Sequence, residues 1–216
     1  MLATLLTLSL LGAEPAHGPS APLNQLLSHR FRLEARQPGL QLAFHAGLLQ
    51  PLFVQGFNAA MDVRVGRFVA TYSHGEGLDG IGQTALLDAE RAAGASLGLT
   101  WSTGGGIGLT LIDELYVLMD VKVHRYAFAV GAERDEYTTL TVGAELGYRF
   151  FLWKGLHVTP VVRYWPNVWS SAPSGVVAGG LTHQPVAQGL QGFFANVLIG
   201  WAFDLVPEGG SWTQGG

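Results

Sequence analysis

The sequence predicts an all-β fold, an eight-stranded antiparallel up-and-down transmembrane β-barrel, and three observations carry that expectation. Hydrophobic residues make up 48% of the chain and charged residues only 13%, against roughly 25% charged in an ordinary soluble domain. Beyond the N-terminus there is no run of about 18 apolar residues, so no membrane helix is indicated. From His29 onward apolar residues recur at every second position, the period of a strand whose two faces meet different surroundings. High apolar content without a long apolar run leaves two options: a soluble β protein with a buried core, or a barrel facing lipid.

Taken in order, residues 1–13 hold the short apolar run LATLLTLSLL followed by Gly12 and Ala13. That is too short to span a bilayer and has the form of a signal peptide cleaved after Ala13; a buried N-terminal helix is the alternative. Residues 14–28 are rich in Pro, Ser and Ala and read as a linker. The barrel is expected over 29–206, with a C-terminal tail at 207–216. Its strands are expected at 29–37, 40–48, 57–73, 95–112, 115–131, 137–152, 156–169 and 189–206, an even number as single-chain bacterial barrels require. Most are much longer than the five or six residues usual in globular sheets. The last is the clearest: Phe193, Ala195, Val197, Ile199, Trp201, Phe203 and Leu205 share one face, and Asn196, Gly200 and Asp204 lie on the other.

With the N-terminus in the periplasm, 113–114 and 153–155 become short periplasmic turns, and 74–94 and 170–188 become long external loops, the asymmetry expected of such barrels. The link 49–56 is long for a periplasmic turn. Residues 84–95 have the composition of a short helix within the first loop.

The polar faces carry balanced charge. Asp62, Asp120, Glu145 and Asp204 supply four carboxylates, and Arg64, Lys122, Arg149 and Arg163 supply four cations. An unpaired charge in a narrow interior is strongly unfavourable, so equal numbers suit a closed, cross-linked lumen; a solvated face on a soluble sheet is the alternative. Gly98, Gly104, Gly106 and Gly108 would make room for larger residues opposite. Aromatic residues form two expected bands, Phe57, Phe150, Phe151, Trp153, Trp201 and Phe203 toward the periplasm, and Tyr72, Tyr137, Trp165, Trp169 and Phe193 toward the exterior. Arg67 and Arg125 fall on the lipid-side parity. Either they reach lipid phosphates at the outer surface, or a bulge at Gly66 or near His124 turns them inward.

Over 57–206 this pattern resembles the small OmpA-type and OmpX-type outer-membrane proteins, in architecture and without a diagnostic motif. The resemblance implies insertion in the bacterial outer membrane, contact with lipopolysaccharide and handling by the barrel assembly machinery; proteins of this fold include adhesins and lipid-modifying enzymes. A monomer is expected. The net charge of −4 and the lack of a basic stripe speak against nucleic acid.

Chemistry is sparse. The segment YSHGEGLDG holds Ser73, His74, Glu76 and Asp79 at one strand end, the place for a Ser-His-acid set acting on outer-leaflet lipid. The lipid A deacylases share the barrel fold and use a His and a Ser two positions apart. Here Ser73 and His74 are adjacent, so in a strand they point to opposite faces. The favoured expectation is therefore a non-enzymatic barrel with a structural or surface-binding role, and a deacylase-like hydrolase using Ser73 and His74 is its rival. The histidines show no paired metal-ligand spacing, cysteine is absent, and no cofactor or metal is expected. His124 and His157 are expected to join the lumen network.

Overall fold

A computed structural model describes residues 39–83, 85–185 and 192–206. The expected signal peptide, linker, first strand (29–37) and C-terminal tail lie outside the described residues. Among the described residues the main element is one antiparallel sheet closed on itself. Its strands are β1 (Leu40–Gly47), β2 (Phe57–Val65), β3 (Phe68–Glu76), β4 (Ala95–Ile112), β5 (Leu115–Val130), β6 (Glu133–Tyr148), β7 (Phe150–Trp153), β8 (Leu156–Tyr164), β9 (Asn167–Ser170) and β12 (Phe193–Val206), with a separate hairpin of β10 (Val176–Ala178) and β11 (Leu181–His183). Because β7 continues β6 past Arg149, and β9 continues β8 past Trp165-Pro166, the ring has eight staves. Pairing runs β12-β1-β2-β3-β4-β5-β6 and closes where β6 meets β8 and β8 meets β12.

The number of strands agrees with the sequence reading, but the set differs: all eight staves come from residues 40–206, without the expected strand at 29–37, and 57–73 contributes to two of them. Residues 57–73 are not a single strand: β2 and β3 form a hairpin about Gly66-Arg67, with Val65 paired to Phe68. Gly66 takes φ of +57°, the left-handed conformation that tight hairpin turns demand. The clue is a slip of phase. Asp62 and Arg64 face inward at even positions, whereas Val69 and Ser73 face inward at odd ones, and no unbroken strand permits that.

This correction reverses β1 and β2 and resolves the awkward link at 49–56. One end of the barrel now carries the turns at 66–67, 113–114 and 154–155 together with the start of β1 and the end of β12. Asp113 and Lys154 take φ of +55° and +48° there. The other end carries everything long: residues 48–56 with a π-helical turn at Gln50–Val54, residues 77–94, and residues 171–192. Length also proves uneven. Strands β4, β5 and β6 run 18, 16 and 16 residues, but β1 only 8 and β2, β3 and β8 only 9, at the lower end of the about 9–11 residues of a tilted transmembrane strand.

The extra length of β4 to β6 rises above the loop-end rim and supports a cap. There Leu86, Leu97, Phe128, Tyr137, Val176 and Ala178 pack into a small apolar core. The expected helix is present as α2 (Asp88–Ala92), after α1 (Asp79–Gln83). Glu90 joins two loops: Oε2 accepts from the Leu87 backbone N–H at 2.7 Å, and Oε1 lies 2.9 Å from His183 Nδ1. His183 also stacks on Phe128 and meets the Tyr137 hydroxyl at 3.1 Å.

Across the barrel wall the faces are inverted relative to a soluble protein. Inside lie Gln41, Asp62, Arg64, Lys122, Thr139, Glu145, Arg149, His157 and Arg163, all buried; outside lie Phe44, Met61, Phe68, Ile107, Met119, Val121, Leu146, Val162 and Phe203, all exposed. The inner glycines of β4 give space to the neighbouring strand, as a Cβ on Gly106 would stand 2.1 Å from Asp120 Oδ1 and 2.5 Å from the Met119 carbonyl. Gly106→Val is accordingly expected to destabilise the barrel by about 1–3 kcal/mol through overpacking, read as a lower urea midpoint for the folded band that persists in unboiled gel samples.

Candidate functional site

The barrel interior divides into two layers of side chains and, above them, a cavity. In the layer nearest the turns, Asp62 of β2 is the common acceptor. Its Oδ2 takes Arg149 Nη2 at 2.6 Å and Arg64 Nε at 3.1 Å, and its Oδ1 bonds His45 Nε2. From there the network spreads to the walls: Arg149 Nη1 donates to Gln41 Oε1 at 2.6 Å, Gln41 Nε2 to Asp204 Oδ1 at 2.7 Å, and Arg64 Nη1 to Glu114 Oε2 at 3.0 Å. His157 and His45 share a 3.1 Å contact between ring nitrogens, and His157 Nδ1 donates to the Gly155 carbonyl at 3.0 Å. Gly200 leaves room for this pair, since a Cβ there would approach both rings within 3 Å.

The second layer joins β5, β6 and β8. Arg163 Nε donates to Glu145 Oε2, whose other oxygen accepts from the Tyr116 hydroxyl at 2.9 Å. Asp120 is buried beside them. Lys122 Nζ donates to Ser73 Oγ and lies 4.8 Å from the centre of the Trp165 ring, with the Arg163 guanidinium 5.0 Å from that same ring. Between the layers lies a void of about 20 Å³, room for about one water.

Of the eight charged residues named for the lumen, seven are buried inside it within these contacts or beside them, and Asp204, exposed near the turn-end rim, joins through Gln41. The sequence missed two partners. Glu114 reaches the network from a hairpin turn, across 50 residues to Arg64, and Tyr116 looked like any strand aromatic. Of the expected histidines, His157 joins the network, while His124 Nε2 meets Thr141 Oγ1 at 2.9 Å on the cavity wall.

Other expectations change. Ser73 points into the lumen, whereas His74 points outward, pairing with Glu76 Oε1 at 3.2 Å and packing near Phe57; the strand holds them on opposite faces, and Asp79 opens α1 beyond the strand. Arg67 is not near the loop end at all. It is exposed in the β2–β3 turn at the opposite rim, because the expected strand breaks there. Arg125 does reach the loop-end rim, but Glu136 holds its guanidinium at 2.7–2.9 Å. A register slip near it falls on the partner strand, between Leu99 and Trp101.

Two aromatic groups mark the ends. Trp153, Trp201, Phe203 and Phe44 form a chain of ring contacts at 6.0–6.5 Å near the turns, and Tyr164 with Phe193 lies toward the loops. Phe57 belongs to the loop end rather than to the turn end, again because β2 runs the other way. Trp165 and Tyr137 face inward, Trp165 into the lumen and Tyr137 into the cap. Trp165 turns because Pro166 interrupts the strand.

A closed eight-stranded cylinder with a charged, filled interior and an apolar exterior defines the class: an up-and-down β-barrel of the transmembrane kind. No protein-family model and no curated protein matches the chain. Among solved structures it is similar to Neisserial surface protein A, at 13% identity and a TM-score of 0.40, over 76% of this chain and 94% of that one. It is also similar to a major outer membrane protein from Thermus thermophilus, at 12% identity and a TM-score of 0.42, over 76% of this chain and 98% of that one.

Removing one member of a buried charge set leaves the others uncompensated. Asp62→Ala is therefore expected to cost about 3–5 kcal/mol in unfolding free energy, by the usual size of such losses, and the double change Asp62→Ala with Arg149→Met to recover part of it, both read from urea titration of the folded band. In the cap, His183→Ala is expected to speed trypsin cleavage at the exposed Arg91 while leaving the barrel's folded mobility intact.

Proposed function

We propose that this chain is an integral protein of the bacterial outer membrane, a non-enzymatic monomer whose role is structural or surface-binding and whose binding face is the loop-end cap. The observation that carries this reading is the continuous apolar exterior. Met61, Ile107, Met119, Val121, Leu146 and Val162 come from different staves, and each is exposed. In water such a belt would be an association surface far larger than soluble monomers display; against hydrocarbon it is the stable arrangement. Short turns belong on the periplasmic side and long loops outside, which directs the cap outward. Contact with lipopolysaccharide at the loop-end aromatic residues, and insertion by the barrel assembly machinery, follow from that placement.

The filled lower half of the lumen favours a rigid support over an open pore, since the two layers bridge β1, β2, β3, β5, β6, β8 and β12 by side-chain bonds. The cap is a folded surface, with its own apolar core and the Glu90–His183 tie between loops. A hydrolase using Ser73 and His74 is disfavoured, because a base on the outer face cannot take the proton of a hydroxyl inside the barrel. Incubation with lipopolysaccharide is expected to leave its acyl chains intact, and acyl loss abolished by His74→Ala would reverse this reading.

Cell fractionation is expected to place the protein with the outer membrane, and unboiled samples are expected to migrate differently from boiled ones; recovery from the aqueous fraction without detergent would overturn the proposal. Depth gives a finer measure. Met119→Arg, at mid-belt on β5, is expected to cost about 2–4 kcal/mol, and Leu111→Arg, close to the turn end, about 0–1 kcal/mol. Equal costs at the two sites would mean that no hydrocarbon surrounds the belt.

A further inference from the structure

Above the two charged layers the lumen opens into a cavity of about 360 Å³, within the roughly 300–1,000 Å³ range of small-molecule sites. Its lining has an unusual charge distribution. Lys122 and Arg163 stand at its floor, and His124 and His183 lie on its walls, yet no carboxylate is among the described residues that line it. The acids of this part of the barrel, Asp120 and Glu145, border only the small void below, which Lys122 and Arg163 line as well. The two cations therefore stand between the acids and the cavity, facing both.

Lys122 is the telling member. Only 5% of its surface is exposed, and its ammonium meets the Ser73 hydroxyl and the Trp165 ring, with no carboxylate among the described residues at ion-pair distance. A buried cation held by neutral groups keeps unused capacity for an anion. Among the described residues Arg163 donates to a carboxylate, Glu145, through Nε, and its guanidinium lies over the same Trp165 ring as Lys122. His124 adds a ring nitrogen, Nδ1, with no hydrogen-bond partner. Above this polar floor the walls mix polar residues with an apolar and aromatic group, Leu78, Leu99, Tyr126, Trp165 and Phe194.

We propose that this cavity is a binding site for a small amphiphilic carboxylate, its head on Lys122 and Arg163 and its apolar body against Trp165 and Leu99. Entry is from the loop end, where Leu78, Gly80, Gln184 and Pro185 form part of the rim. The proposal is independent of the role assigned to the cap, because it concerns the lumen and requires only the closed barrel.

Calorimetric titration of the full-length folded protein in maltoside micelles, with micelles alone as the blank, tests it with three probes of one shape: naphthalene-2-carboxylate, 2-naphthylmethanol and 2-naphthylmethylammonium. The carboxylate is expected to bind one to one, at least tenfold more tightly than the alcohol or the ammonium. Lys122→Met is expected to weaken it at least tenfold, Lys122→Arg to retain it, and Ser102→Phe, which fills the cavity from β4 without touching the cations, to abolish it. Unboiled gel mobility reports whether each variant is folded. No saturable binding, equal binding of the three probes, or full binding by folded Lys122→Met or Ser102→Phe would each overturn the proposal. The comparison of the three probes on the unaltered protein decides the matter even if a variant fails to fold.

Discussion

The Asp62 carboxylate, shared between Arg149 and Arg64, is the constraint around which the barrel is organised. A cylinder of eight strands is just wide enough for its own side chains, so whatever points inward must satisfy itself there. Charged groups are tolerable only when each finds a partner across the lumen. Several of these contacts join residues distant in the chain, 87 positions apart for Asp62 and Arg149 and 108 for Gln41 and Arg149. Register is thereby specified from within: sliding one strand by one residue would turn its charges outward and its apolar residues in.

That constraint divides the interior. Where the network is complete the lumen is filled, and where it ends the staves keep their spacing with fewer side chains between them. Trp165, turned inward at the break before Pro166, marks the boundary, with two cations over its ring and the cavity above. Closure of the ring therefore produces both a rigid lower half and a hollow upper half. The cap rests on the tall side, where β4 to β6 outrun their neighbours, and its apolar core lets two loops from different parts of the chain behave as one surface.

Much of the wall was legible beforehand. Alternation in 193–206 assigned each residue to its proper side, and the same holds for 139–149 and 157–164, because a half-buried strand writes its two environments into alternate positions. The departures lie where that alternation breaks. In 57–73 it changes phase at Gly66, which moves Arg67 and Phe57 to the opposite ends and reverses two strands, and at Pro166 the strand is interrupted and Trp165 turns inward. The helix near Asp88 was legible from composition, but its tie to His183 was not, since nothing local links residues 93 positions apart.

The sequence by itself determined the fold class, the alternation of faces and the balance of charge, because these follow from composition and from a period of two. Only the tertiary structure decided which carboxylate meets which cation, that Ser73 serves Lys122 and not His74, and that a cavity free of acids lies above the charged layers. Those outcomes depend on which strands become neighbours around the ring, and on the stagger between them. Closing the sheet sets both at once, and no short stretch of residues encodes either.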